Sequence, residues 1–169
     1  MNVLALCGSL RKGSSNHNLL LAVEKIFPKL EVWVNFEISQ LPFFEPDIQF
    51  NDIPELVKEF RKYAAQSDYV VISTPEYAHG IPGVLKNALE WLICDETMKK
   101  RTIVFVAAPS GGEFVKEYLL ETLRTMDFVA DAKTSMIVKT ARSSISLSGE
   151  IIDANFRATL ELFLENAVK

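Results

Sequence analysis

Five short apolar runs, each leading through a polar stretch into a segment of helical spacing, organise this chain of 169 residues. The runs are Asn2 to Cys7, Glu31 to Phe36, Tyr69 to Thr74, Thr102 to Ala108 and Ser135 to Lys139. The third and fourth contain Tyr69-Val70-Val71-Ile72-Ser73 and Ile103-Val104-Phe105-Val106-Ala107, with no alternation of apolar and polar positions. A strand of that kind is buried on both faces, as in a parallel sheet covered by helices.

Helical patterns separate the strands. One runs from about Asn16 to Ile26. The next spans about Ile53 to Gln66, with Asp52 and Glu55 expected as a capping pair and Pro54 in the first turn. A third, about Gly83 to Ile93, sets Leu85, Leu89 and Leu92 on one face with Trp91 near it. The fourth covers about Glu113 to Met126, and the last runs from an N-cap at Asp153 to Val168. This alternation predicts an α/β fold of three layers, doubly wound around a five-stranded parallel sheet. No internal repeat or low-complexity tract interrupts it, and the length suits one domain over 1–169.

In such folds ligands bind beyond the carboxyl ends of the strands, where the strand order reverses. The unusual loops here all follow strands: Gly8 to Ser15, Pro75 to Pro82, and Pro109 to Gly112. They are expected to converge on one cleft. The stretch from Phe36 to Asp52 is long for a structureless connection, which makes it a candidate lid or contact surface. Its aromatic residues read as packing rather than chemistry.

Charge and composition narrow the function. A net charge of −4 and a pI near 5.3 argue against a nucleic-acid footprint. No apolar run approaches the roughly 18 residues of a membrane span. The chain enters a strand almost at once, leaving no room for a signal peptide, so a cytoplasmic location is expected. Cys7 and Cys94 lie far apart in apolar surroundings and read as small core residues rather than a disulfide.

Loop one carries the clearest chemistry. Gly8-Ser9-Leu10-Arg11-Lys12-Gly13-Ser14-Ser15-Asn16 links a strand to a helix N-terminus. Unpaired amides, the positive end of the helix dipole, a guanidinium and three hydroxyls suit a phosphate dianion. Gly8 and Gly13 have the spacing of a nucleotide-triphosphate loop, but Ser14 stands where that loop needs lysine. A dinucleotide motif fails too, because Leu10 replaces its second glycine. A single terminal phosphate fits better, the alternative being a polar turn with no ligand.

Loop two, Pro75-Glu76-Tyr77-Ala78-His79-Gly80-Ile81-Pro82-Gly83, suits a flat heteroaromatic ring at a sheet edge. Gly80 and Gly83 permit unusual backbone angles. Glu76 reads as a loop anchor, His79 as a surface or interface residue, and Lys86 and Asn87 as solvated or capping groups. Loop three, Pro109-Ser110-Gly111-Gly112, allows close approach of a ligand to the backbone and is equally an ordinary turn.

Two stretches together resemble the NADPH-dependent FMN reductase family. One is Gly8-Ser9-Leu10-Arg11 with Ser14 and Asn16. The other is Pro75-Glu76-Tyr77 followed by Gly80-Ile81-Pro82-Gly83-Val84-Leu85-Lys86-Asn87-Ala88-Leu89-Glu90-Trp91-Leu92. The resemblance implies a flavodoxin-like fold with strand order 2-1-3-4-5 and bound FMN. It implies hydride transfer from NADPH or NADH to FMN, then onward to a flavin, quinone, azo compound or metal ion. Arg11, Ser14 and Asn16, with Ser9 and Ser15 beside them, would hold the phosphate. Pro75, Glu76, Tyr77 and Ala78 would border the ring, and Ser110 and Gly111 would lie close to it. Many relatives carry Asn where Ala78 stands here. No catalytic side chain and no metal ligand is assigned. The resemblance also implies a homodimer or homotetramer, with the helix bearing Leu85, Leu89, Trp91 and Leu92 leaving a face for the partner. The competing reading is a single-electron carrier of flavodoxin type, which the mild charge and Arg11 disfavour.

Overall fold

The computed structural model describes residues 1–94, 97 and 99–169. Strands β1 (Asn2–Cys7), β2 (Val32–Phe36), β3 (Tyr69–Thr74), β4 (Arg101–Val106) and β5 (Ser135–Ile137) form one parallel sheet in the order β2-β1-β3-β4-β5. The helices are α1 (Ser15–Ile26), α2 (Glu55–Gln66), α3 (Gly83–Trp91), α4 (Glu113–Thr125), a short α5 (Ala141–Ser144) and α6 (Ala154–Ala167). This is the flavodoxin-like arrangement.

Successive strand residues point to opposite faces, so each strand feeds two cores. Leu4, Leu6, Val70, Ile72, Val104 and Val106 pack with Phe60 of α2, Leu85, Leu89 and Trp91 of α3, and Leu119 of α4. Val3, Ala5, Val71, Ile103 and Phe105 pack with Leu19, Leu20 and Val23 of α1 and Leu160 and Leu164 of α6. Burying one Leu- or Val-sized side chain contributes about 1.5–3 kcal/mol before the entropy cost of ordering it.

The strand order reverses between β1 and β3. The Gly8 N–H donates to the Ser73 carbonyl at 2.8 Å, which holds the ends of these two strands side by side. A Cβ at Gly8 would lie 2.8 Å from Thr74 Oγ1, so only glycine allows this approach.

Several expectations change at the edges of elements. Helix α2 begins after Pro54, whose carbonyl accepts from the Val57 and Lys58 amides. The Asp52–Glu55 capping pair does not form. Proline biases the residue before it toward extended backbone, which carries Asp52 away from the first turn. Asp153 behaves as expected and accepts from the Asn155 and Phe156 amides. Helix α3 ends at Trp91, and Leu85, Leu89, Trp91 and Leu92 are all consumed by the core. That helix leaves no apolar face of these four residues for a partner.

The long connection after β2 is fastened down. Asn87 Oδ1 accepts from the Phe44 amide at 2.8 Å and its Nδ2 donates to the Pro42 carbonyl at 3.0 Å. Trp91 Nε1 donates to the same carbonyl at 2.8 Å, and Phe44 meets the Trp91 ring edge-on at 5.1 Å. The buried Arg61 donates to the Trp91 and Gln49 carbonyls at 2.7 and 3.0 Å. Phe44 is packing, while Phe43 and Phe50 stand 91% and 68% exposed. Lys86 pairs with Glu90 at 2.6 Å.

Candidate cofactor cleft

Loop one leaves β1 and turns into α1 with its amides unspent. Ser14 caps the helix, its Oγ accepting from the His17 amide at 3.2 Å. The main-chain N–H groups of Leu10, Arg11, Lys12, Gly13, Ser15 and Asn16 have no acceptor among the described residues. Asn16 is only 3% exposed. Its Oδ1 accepts from Ser73 Oγ at 3.0 Å, and its amide nitrogen donates to nothing among the described residues. Asn16 lines the cleft, so this nitrogen is open to an acceptor there.

Cys7 Sγ donates to the Ser9 carbonyl at 3.4 Å from beneath this loop. Burial pushes its thiol above the usual range, although hydrogen bonds from Ser9 and Ser14 oppose the shift. Cys94 is buried, and no disulfide joins the two cysteines.

Loop two closes as a two-residue hairpin turn. The Tyr77 amide donates to the Gly80 carbonyl at 3.0 Å and the Gly80 amide returns to the Tyr77 carbonyl at 2.9 Å. Ala78 and His79 between them have φ of 50° and 61°. Positive φ at both central positions is the type I′ pattern, which favours Asn and Gly. The unusual angles therefore fall on Ala78 and His79, while Gly80 and Gly83, which would permit them, do not take them. The reason is positional, since the reciprocal bonds make the two residues between Tyr77 and Gly80 turn the chain. The amides of Ala78 and His79 point out of the turn with no acceptor among the described residues.

Glu76 joins loop two to loop three. Its Oε2 accepts from the Gly112 amide at 2.6 Å, and its Oε1 lies 2.9 Å from His79 Nδ1. Gly112 has φ of 100° at the N-cap of α4, and a Cβ there would press within 3.0 Å of Ile137 Cγ2. The expected anchoring role of Glu76 is thus visible, and the anchor grips loop three. The amides of Ser110 and Gly111 beside it have no acceptor among the described residues. The His79 ring meets Phe114 edge-on at 5.0 Å.

The three loops line one open cleft of about 630 Å³. It brings together Ser9, Arg11, Ser14, Ser15, Asn16, Pro75, Glu76, Tyr77, Ala78, Ser110 and Gly111. It also includes His79 at its rim and one residue the sequence reading missed, Arg142 of α5. The signal was available, because Thr140 to Ser144 follows the fifth strand and so sits at the same sheet edge. Among the described residues neither Arg11 nor Arg142 has an ion pair or hydrogen-bond partner. Helix α1 has no acidic residue in its first turn to offset its positive end. The end of the cleft at loop one is therefore built for an anion.

Comparisons with known proteins agree with this geometry. The family model for NADPH-dependent FMN reductases matches residues 1–141. The quinone reductase of Escherichia coli (strain K12) is 30% identical over 161 residues, covering 90% of this chain and 86% of its own. A 2-hydroxy-1,4-benzoquinone reductase from Burkholderia sp is 28% identical and covers 98% and 93%. Among solved structures, the flavoenzyme NAD(P)H:(acceptor) oxidoreductase FerB from Paracoccus denitrificans superposes with a TM-score of 0.84 at 25% identity, covering 99% and 94%. With the match spanning both loop one and loop two, the chain belongs to the NADPH-dependent FMN reductase family.

Proposed function

We propose that the whole chain, 1–169, works as one FMN-binding domain whose cleft holds the phosphate at loop one and the ring between loops two and three. In this reading Ser9, Arg11, Ser14, Ser15 and Asn16 hold the phosphate. Pro75, Glu76, Tyr77, Ala78, Ser110 and Gly111 border the ring. The observation that carries it is the run of loop-one amides without an acceptor among the described residues, together with the Asn16 side-chain nitrogen, which likewise has none there. A phosphate dianion satisfies such donors, and the helix dipole and Arg11 add charge stabilisation.

Bound FMN supplies the ring that takes hydride from NADPH or NADH and delivers reducing equivalents to an acceptor. The protein's part is to position and to polarise. The amides of Ala78, His79, Ser110 and Gly111, without an acceptor among the described residues, would donate toward the polar edge of a flat ring and would stabilise negative charge there. Glu76 ties loop two to loop three through the Gly112 amide, and His79 braces its carboxylate within loop two. Tyr77 and Phe114, both exposed, give the open side an aromatic rim suited to a planar quinone-type acceptor. Both relatives named above as quinone or benzoquinone reductases favour that acceptor class.

The exposed Phe43 and Phe50 favour a homodimer or homotetramer with these rings covered, in place of the buried residues of α3. A cytoplasmic location goes with the absence of a disulfide between Cys7 and Cys94. Among the described residues no helix is long and apolar enough to cross a membrane.

The test is steady-state oxidation of NADPH and of NADH by the FMN-loaded protein with a benzoquinone acceptor and no second protein present. Sustained turnover is expected. A single-electron carrier would show none without a partner reductase, and that result would overturn the reading.

A further inference from the structure

We propose that Arg142 is a second cation on the cofactor phosphate, closing with Arg11 a two-guanidinium clamp over the N-terminus of α1. This rests on the FMN reading above and extends it to a residue that neither motif contains.

The placement is fixed by the fold. Ala141, Ser144 and Ile145 are buried and tie α5 down against α1, while Arg142 stays exposed on its surface. Arg142 lines the main cleft together with Arg11 and Ser15. The same three residues also line an adjoining hollow of about 320 Å³, which Asn18 and Ser146 help to bound. The donors of loop one are therefore flanked by one guanidinium from the first crossover and another from the short helix after the last strand.

Electrostatics favours an anion at this end of the cleft. Two guanidiniums on one cleft repel each other, and the positive end of α1 adds to that field. Glu76 is the carboxylate on the cleft wall, and it is already engaged with the Gly112 amide and His79. Asn16, itself only 3% exposed, lines the same cleft with a side-chain nitrogen that has no acceptor among the described residues and is open to one from outside the protein. A phosphate dianion meets both needs, and two arginines favour it over a monoanion or a neutral tail. The clamp makes the protein select flavins by their phosphate, not by their ring.

The experiment compares FMN with riboflavin, which has the same ring and no phosphate. Fluorescence titrations use the flavin-stripped full-length chain as wild type, Arg142→Ala and Arg142→Lys. Arg142→Ala is expected to weaken FMN about 10- to 100-fold and to leave riboflavin unchanged, with Arg142→Lys between. Should Arg142→Ala fail to fold by circular dichroism, Arg142→Gln gives the same readout. Unchanged FMN affinity overturns the clamp, as does a parallel loss of FMN and riboflavin, which would mark a structural role. If the wild type itself binds FMN no more tightly than riboflavin, the phosphate reading of loop one fails first. If the wild type discriminates and the variant discriminates equally, only the role of Arg142 fails.

Discussion

The Glu76 carboxylate accepts a hydrogen bond from the main-chain N–H of Gly112 at 2.6 Å, tying the loop after β3 to the loop after β4. This single contact sets the width of the cleft where a ring would lie. Glu76→Ala leaves the Gly112 amide unpaired in a buried position, which costs about 1–3 kcal/mol. A lower melting temperature is expected, together with weaker flavin binding. Glu76→Gln keeps an acceptor and should lose less on both counts. Equal melting temperatures for wild type and Glu76→Ala would show that the contact does not hold the loops.

The turn at Ala78 carries strain that a different residue would relieve. An L-residue with a side chain at positive φ costs about 1–2 kcal/mol, and Asn tolerates the region better than Ala. Ala78→Asn is therefore expected to raise stability by up to about 1 kcal/mol in urea denaturation, with FMN binding retained. A fall in stability would contradict the turn geometry. This gives the departure from the family pattern a physical meaning. In this structure position 78 is a backbone requirement first and a side-chain contact second.

Asn87 illustrates what the sequence reading could not see. Its position on an amphipathic helix suggested a solvated or capping group. Instead it fastens a segment more than forty residues away, with one bond to Phe44 and one to Pro42. Asn87→Ala should remove both and cost about 1–3 kcal/mol. It should also speed proteolysis within residues 41–50. Unaltered cleavage there would argue that Trp91 alone holds the strap.

The Cys7 thiol makes stability depend on alkaline pH. Burial raises its pKa in the folded protein, so the folded state keeps the proton longer than the unfolded chain does. Its contribution is complete below the unfolded thiol value of about 8.5 and fades as pH rises through the folded value. Denaturation curves should show a loss of stability above about pH 8.5 that Cys7→Ala removes. An identical alkaline slope in the variant would assign the effect elsewhere.

The periodicity of the chain was enough to place all five strands and the five long helices, because burial on two faces or one leaves an unmistakable pattern. Strand order was not in that pattern and entered through the family resemblance. The three loops were legible because each follows a strand and carries glycine, proline or hydroxyl residues. Arg142 was not, since its stretch looks like an ordinary crossover until the sheet edge brings it beside Arg11. Helix starts depended on proline geometry, which displaced the cap expected at Asp52. The burial of Trp91 could not be separated from a subunit contact until the strap packed over it.

This NAD(P)H-dependent oxidoreductase is most directly tested at Arg11, the one charged side chain that its phosphate-loop motif supplies to the cleft. A charge-assisted contact is worth about 1.5–3 kcal/mol, or about 10- to 150-fold in affinity. Equilibrium titration of the full-length protein with FMN should give one flavin per chain, and Arg11→Ala should weaken it by that factor. Undiminished affinity in Arg11→Ala would contradict the placement of the phosphate at loop one.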